Sequence, residues 1–354
     1  MTITAERVVC DCGGLLDLIQ VSDAPPLADP ALPLASTGYR YSAELPCRLE
    51  DLLQVSLGAD MVTPLLAHHR NSEVWLKCDN LLPTGSFKDR GASVLVAMAL
   101  QHGIERLVVD SSGNAGTAIA AHAARAGIEC DVFVPSTTSP EKIRQAVAMG
   151  ANVRLVPGTR AETQKAAAAA AFSEGSFYAS HIFNPHFHHG VKTWAYEVCD
   201  QLGQAPRTVV LPVGNGSLLL GIALGFEELL DRGRIQQLPR IVAVQSEACQ
   251  TLSDGYVHVP VSRTTRPIAE GIATDDPARR NQMRSVLNKT KGSAVFVSDA
   301  QILSAQKDLG LQGFYIEPTG SVGWAGYQSI AKTEELSSPV VVALTGSGLK
   351  TSLT

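Results

Sequence analysis

Aromatic side chains make up only 5% of this 354-residue chain and charged ones 18%, and the formal charge is −5 at pH 7. No basic surplus is present to draw nucleic acid or an anionic membrane. No apolar run approaches the roughly 18 residues that a membrane helix needs. Seven cysteines, an odd number scattered over the whole length, do not form a disulfide framework. A zinc ribbon wants paired Cys-x-x-Cys ligands, and Cys10-Asp11-Cys12 is one residue too tight, so no metal is expected. Cys78, Cys130, Cys199 and Cys249 read as small core residues. The start, Met1-Thr2-Ile3-Thr4-Ala5-Glu6-Arg7, lacks a basic-then-apolar signal design, which points to the cytoplasm. Also missing are a Gly-x-x-x-x-Gly-Lys-Ser/Thr loop for a nucleoside triphosphate, a fixed-period repeat and a low-complexity linker.

What is there suits a protein with ample core, long enough for two domains. Residues 1–50 read as an N-terminal extension with a Pro-rich stretch, Pro25-Pro26, Pro30 and Pro33, too broken for a long helix. From about Leu52 strands and helices alternate. Val74 to Cys78, Arg106 to Asp110, Cys130 to Val134, Asn152 to Val156, Thr208 to Val213 and Pro339 to Leu344 read as strands. Between them Gly91 to Met98, Thr117 to Ala126 (ended by Gly127), Lys142 to Met149, Ala161 to Ala171, a segment from Gly190 to about Leu202, and Leu219 to Leu230 read as helices. Helices interleaved with continuously apolar strands predict an α/β fold whose parallel sheets are covered on both faces.

Three segments carry chemistry. In Leu82-Pro83-Thr84-Gly85-Ser86-Phe87-Lys88-Asp89-Arg90-Gly91-Ala92 a turn delivers a lysine to the start of a buried helix. An amine held there against an apolar wall has its charged form disfavoured, so it can attack an aldehyde and then act as a general base. A solvated loop lysine is the plain alternative. In Pro212-Val213-Gly214-Asn215-Gly216-Ser217-Leu218, small residues between a strand and a helix let backbone N–H groups close around an anion. In Ala343-Leu344-Thr345-Gly346-Ser347-Gly348-Leu349-Lys350, hydroxyls follow a strand C-terminus, where open α/β sheets bind ligands. Amine, phosphate cradle and hydroxyl are together what pyridoxal phosphate needs.

Pro83-Thr84-Gly85-Ser86-Phe87-Lys88-Asp89-Arg90-Gly91 resembles the lysine motif of threonine synthases, within the tryptophan synthase β-like (fold type II) pyridoxal-phosphate enzymes. The resemblance extends to Cys12-Gly13-Gly14-Leu15-Leu16-Asp17, Ser111 to Asn114, Asn184-Pro185-His186, Gly190 to Thr193, Gly214 to Leu218, Glu317-Pro318 and Leu344 to Lys350. It implies that Lys88 forms the Schiff base and shuttles the α-proton. It further implies that Asn114 bonds the cofactor's phenolic oxygen, with Phe87 beside the ring. Gly214, Asn215, Gly216, Ser217 and Leu218 hold the phosphate. Thr345 partners the pyridine nitrogen, with Ser347 a second candidate. The loop Ser111, Ser112, Gly113, Asn114 and Ala115 binds the substrate, its two serines taking the α-carboxylate. A large cofactor-binding domain of 51–92 and 190–354, a small mobile domain of 93–189, a cofactor in the crevice between them and a homodimer are also implied. A hydroxyl at the ring nitrogen, unlike a carboxylate, does not keep it protonated, which suits elimination or replacement better than transamination.

The chain departs from threonine synthases where they grip the substrate phosphate: the serine and arginine positions are Ile182 and Phe187, and a threonine position of the Gly-Asn loop is Ala115. Loss of a charge-assisted pair argues against a phosphorylated substrate. Ile268-Ala269-Glu270-Gly271-Ile272-Ala273 looks more like the threonine and serine dehydratase loop, although those enzymes usually lack an acid at Asp89. His186, His188 and His189 read as pocket or surface histidines, without the carboxylates of a metal site. The expectation is a pyridoxal-phosphate lyase or synthase acting on an amino acid through an aminoacrylate- or aminocrotonate-type intermediate. A dehydratase-like release of a 2-oxo acid, a cysteate synthase-like β-replacement and a non-catalytic binding module are the alternatives.

Overall fold

The computed structural model describes residues 10, 12, 14–18, 40–58, 61–173, 176–255 and 266–350. The Pro-rich stretch expected at 25–33 lies outside them. In chain order the elements begin with α1 (Leu49–Val55), β1 (Leu65–His68), β2 (Asn71–Cys78), α2 (Lys88–Gln101), β3 (Arg106–Val109), α3 (Asn114–Ala126) and β4 (Glu129–Pro135). They continue with α4 (Pro140–Ala148), β5 (Asn152–Val156), α5 (Arg160–Ser173), β6 (Phe177–Tyr178), α6 (His186–Val191), α7 (Thr193–Leu202), β7 (Thr208–Pro212) and α8 (Ser217–Asp231). The last are β8 (Arg240–Ser246), α9 (Arg280–Lys289), β9 (Ser293–Val297), α10 (Asp299–Leu311), α11 (Pro318–Ile330) and β10 (Val340–Leu344).

The chain forms two compact units. The first takes the described residues up to Val62 with Leu82–Thr84 and Lys88–Thr193. The second takes Thr63–Leu81, Gly85–Phe87 and the described residues from Trp194 onward.

In the first unit four strands lie in the order β5-β4-β3-β6, all parallel. Leu107, Val108 and Val109 of β3 are buried, as are Ala118, Ile119, Ala120 and Ala123 on α3. Small side chains on α3 let it approach its neighbours closely, and α2 packs along it. Gly127 ends α3 in the left-handed conformation (φ 71°), its N–H bonded back to the carbonyls of Ala123 and Ala124. That stop was legible from the residue type, because glycine alone takes a positive φ without steric cost.

The second unit carries six strands in the order β1-β2-β10-β7-β8-β9. Only β1 and β2 pair antiparallel. Every residue of β7 and of β10 is buried, as expected for central strands with both faces covered. Val340, Val342 and Leu344 of β10 join Val210, Val242, Val244 and the α11 residues Val322, Trp324 and Ala325 in one apolar cluster. Burying each such aliphatic side chain contributes about 1.5–3 kcal/mol. The α/β class with parallel-rich sheets flanked by helices is therefore the observed one.

One expected helix is two. The chain is already helical at His186, where the Asn184 side chain accepts the His186 backbone N–H at 3.1 Å, and it breaks at Lys192 before α7. At the break the Thr193 hydroxyl donates to the Gly190 carbonyl at 2.8 Å, a side-chain bond that competes with the helical ladder. Among the described residues no helix is long and apolar enough to cross a membrane. Cys78, Cys130 and Cys249 are buried, and Cys199 is half-buried.

Candidate active site

Lys88 is the first residue of α2. The turn before it is closed by Asp89, whose Oδ2 accepts the Thr84 N–H and whose Oδ1 accepts the Thr84 hydroxyl, both at 2.8 Å. Lys88 keeps some surface accessible, yet the protein packed around its amine pushes its pKa down from 10.5 to about 7 by desolvation alone. The Phe187 ring lies 5.4 Å from the Lys88 Nζ. That ring rests on Gly91, where a Cβ would meet it at 2.5 Å, so only glycine admits it. His181 meets the same ring edge-on at 5.9 Å. Burial first, then the charges of Lys88, Arg160 and His188, hold His181 well below the usual imidazole range. Burial likewise pushes His186 down to about 4 and holds His189 well below 6.5. These three imidazoles are neutral at pH 7, and of them His181 stands with Phe187 near the lysine.

Beyond β3 the chain turns through Asp110, Ser111, Ser112 and Gly113 into α3, whose first residue is Asn114. The Gly113 N–H donates to the Ser111 hydroxyl at 3.3 Å, and Gly113 offers the helix no side-chain cap. A Cβ on Gly116 would run into the Ser111 carbonyl oxygen, so the turn is pressed against the helix it opens. Asp110 is buried beneath it, 2.9 Å from the Arg160 guanidinium, and accepts the Tyr178 hydroxyl at 2.9 Å. Its pKa is raised, because burial outweighs the arginine and the hydrogen bonds. The arginine charge is thus already matched.

In the second unit, Gly85–Phe87 lies antiparallel to 345–347. The Phe87 N–H donates to the Thr345 carbonyl at 3.1 Å, the Ser347 N–H donates to the Gly85 carbonyl at 2.9 Å, and Ser86 bridges Gly346. The residue just before Lys88 in the chain is therefore tied to Thr345. The Thr345 and Ser86 hydroxyl oxygens are buried and, among the described residues, lack a hydrogen-bond partner. Such orphaned polar groups are costly and mark a place for something not of the chain.

After β7, the Val213 N–H bonds the Val244 carbonyl at 2.8 Å, and Gly214, Asn215 and Gly216 lead into α8. Gly216 sits at φ 90° as N-cap and supplies no side-chain oxygen to the helix. A Cβ on Gly214 would lie 2.8 Å from the Ile272 Cα, and one on Gly216 would meet the Met283 sulfur. The Asn215 side chain accepts the Thr274 hydroxyl at 3.4 Å. A bare helix N-terminus lined by glycine is a cradle for an anion.

The first unit thus brings Lys88, Ser111, Ser112, Gly113, Asn114 and Ala115 onto α2, α3 and the turn between β3 and α3. The second unit brings Phe87 to Thr345 and Ser347, and sets Gly214, Asn215, Gly216, Ser217 and Leu218 on one turn. Sequence reasoning gave no role to Ser86, His181 or Asp110. Ser86 sits inside the recognised motif, but its orphaned hydroxyl is a property of packing. Among the described residues no group of three or more His, Cys, Asp or Glu is arranged to hold a metal ion.

Residues 58–346 match the family model described as pyridoxal-phosphate dependent enzyme. The chain is 30% identical to the threonine synthase of Methanocaldococcus jannaschii, over 96% of this chain and 88% of that one. It is 34% identical to the threonine synthase of Mycobacterium bovis, over 81% of each. Among solved structures, a threonine deaminase from T.th. aligns with a TM-score of 0.68 at 25% identity, over 85% of this chain and 98% of that one. The chain belongs to the pyridoxal-phosphate dependent enzyme family and is a threonine synthase-like member of it.

Proposed function

We propose that this pyridoxal 5'-phosphate-dependent lyase acts on an amino acid with an uncharged or weakly charged leaving group at Cβ or Cγ, with Lys88 as the residue that captures the cofactor's aldehyde. The residues present fit that cofactor. The amine of Lys88 is desolvated, with a pKa of about 7. The Gly214–Gly216 turn is bare and opens a helix. The buried Thr345 hydroxyl lacks a hydrogen-bond partner among the described residues.

When bound, the cofactor supplies an electron sink for bonds broken at Cα. The chain does the rest. Backbone N–H groups of Gly214, Asn215, Gly216, Ser217 and Leu218 hold the phosphate, helped by the α8 N-terminus. Thr345 would meet the ring nitrogen through a neutral hydroxyl, with Ser347 as the second candidate. Asn114 would bond the phenolic oxygen, and Phe87 would stand beside the ring. Ser111 and Ser112, with the backbone of Gly113 and Ala115, orient the substrate carboxylate. The neutral Lys88 Nζ then takes the Cα proton, the role its lowered pKa suits.

The observation that carries this reading is the desolvated amine at the head of α2. Purified protein is expected to be yellow, and Lys88→Ala to lose both the colour and turnover. Because the neutral amine becomes the major form above about pH 7, covalent capture of added cofactor by apoprotein should rise through neutrality and then level. A surface lysine would still be gaining rate near pH 10. Colour that persists in Lys88→Ala sinks the assignment.

The wall beside Lys88 supports an unphosphorylated substrate. Phe187 and the neutral imidazole of His181 line it, and the Arg160 charge is paired with Asp110. A dehydratase reading, in which a 2-oxo acid and ammonia leave, draws support from the Ile268–Ala273 loop and the likeness to a threonine deaminase. Phosphate release from O-phosphohomoserine, set against 2-oxo acid release from serine and threonine, separates the two. A homodimer in the cytoplasm completes the proposal. The thiols of Cys47, Cys78, Cys130, Cys199 and Cys249 are not in disulfides, which supports a reducing compartment. Sedimentation and cell fractionation test these points.

A further inference from the structure

We propose that Asp89 is a positioning residue, whose carboxylate closes the turn at 84–88 and so fixes the direction in which the Lys88 amine is presented; this rests on Lys88 being the lysine that captures the cofactor.

Asp89 is fully buried and stands second in α2, where its side chain could accept first-turn amides of its own helix. It reaches back instead and takes both the N–H and the hydroxyl of buried Thr84 at 2.8 Å. Two oxygens on one partner residue fix the carboxylate plane and close a turn whose last residue is Lys88. A third group stands behind them. The buried His122 of α3 has its Nε2 3.5 Å from Asp89 Oδ1, and its Nδ1 lies 2.7 Å from the Val55 carbonyl at the end of α1. A carbonyl only accepts, so Nδ1 carries a proton. His122 thus ties α3, the helix that begins with Asn114, to the end of α1, and packs beside the lysine turn.

A carboxylate next in sequence to a lysine would ordinarily stabilise its ammonium. Here desolvation lowers the Lys88 pKa, and both Asp89 oxygens are engaged by Thr84, so the acid acts on Lys88 through the backbone of the turn. Asparagine in its place keeps the shape but replaces the charged acceptor at the Thr84 hydroxyl with an amide donor, so that hydroxyl must rotate to accept and the charge-assisted grip on the turn weakens. The amine then meets its target from a displaced start, and misplacement on the order of 1 Å costs about 100-fold in rate.

The test uses holoenzyme and three variants, Asp89→Asn, Thr84→Val and Thr84→Ser. It reads visible circular dichroism of the bound cofactor, which reports its fixed orientation, together with kcat and KM. We expect Asp89→Asn to bind cofactor stoichiometrically with an altered visible dichroic band. Its kcat should fall about 10- to 100-fold with KM within about threefold. Thr84→Val should move both readouts in the same direction by less, and Thr84→Ser should restore them, which a merely structural contact would not require. Should Asp89→Asn fail to fold, the Thr84 pair decides. Wild-type dichroism and kcat in Thr84→Val, with only a lower melting temperature, overturn the proposal. Lys88→Ala serves as the control: a retained visible band there sinks the lysine assignment itself. Loss of the band in Lys88→Ala with an unaltered Asp89→Asn sinks only the positioning role.

Discussion

Two turns of this protein do the same topological job with opposite means. Each follows a buried parallel strand and opens a long helix, one at Ser111–Asn114 and the other at Gly214–Ser217. The first is built of side chains: hydroxyls on Ser111 and Ser112, an amide on Asn114, and beneath them buried Asp110 and Tyr178 with the more exposed Arg160 paired to the acid. The second is nearly bare. Its glycines bring backbone close to Ile272 and Met283, and its N-cap contributes no side-chain oxygen. A planar, singly charged carboxylate is oriented well by hydroxyls, which can be aimed. A phosphate with several oxygens is held better by converging N–H groups and a helix dipole. The contrast supports the proposal that the first turn takes substrate and the second the cofactor phosphate.

Substitutions can break that assignment. The largest effect is expected at Gly116, where a Cβ runs into the Ser111 carbonyl, a backbone atom with nowhere to go. Gly116→Val should lower stability by about 3 kcal/mol or more, seen as a fall in the unfolding midpoint. Next comes Gly216→Ala. Its φ of 90° is costly for alanine, by about 1–2 kcal/mol. The Met283 side chain can swing aside, so the protein folds, and equilibrium titration should show cofactor affinity down about tenfold. Smallest is Ser111→Ala, worth about 1 kcal/mol of substrate binding, or a roughly fivefold rise in KM with cofactor affinity unchanged. Cofactor loss in Ser111→Ala together with a pure KM effect in Gly216→Ala would exchange the two roles.

The two turns were also legible to different degrees. Gly214-Asn215-Gly216 announces itself, because a positive φ and a close backbone approach demand glycine and little else. Lys88 and its turn were visible because the motif is local. The buried strands β7 and β10 were legible as unbroken β-branched runs. The six-strand order was not, since it depends on which distant segments pair, and no local pattern ties Val340 to Val74 and Thr208 at once. Strands β1, β6, β8 and β9 and helices α1, α9, α10 and α11 also escape the sequence reading; β1 and β6 are too short to carry a pattern, and the apolar periodicity of α9 and α10 is diluted by polar faces. The partners of Arg160 and His181 were hidden for a related reason: residues 110, 160 and 181 meet only after β3, α5 and β6 are stacked. The break at Lys192 turns on one hydroxyl that competes with a helix bond, too fine a balance to read from residue types.

The position of β10 has an effect on how the protein is made. Residues 340–344 lie between β2 and β7, so a sheet begun at residues 65–78 lacks its middle until the far end of the nascent chain has left the ribosome. Until then β2 and β7 each offer a raw edge to any passing strand, and chaperone contact during synthesis should concentrate there.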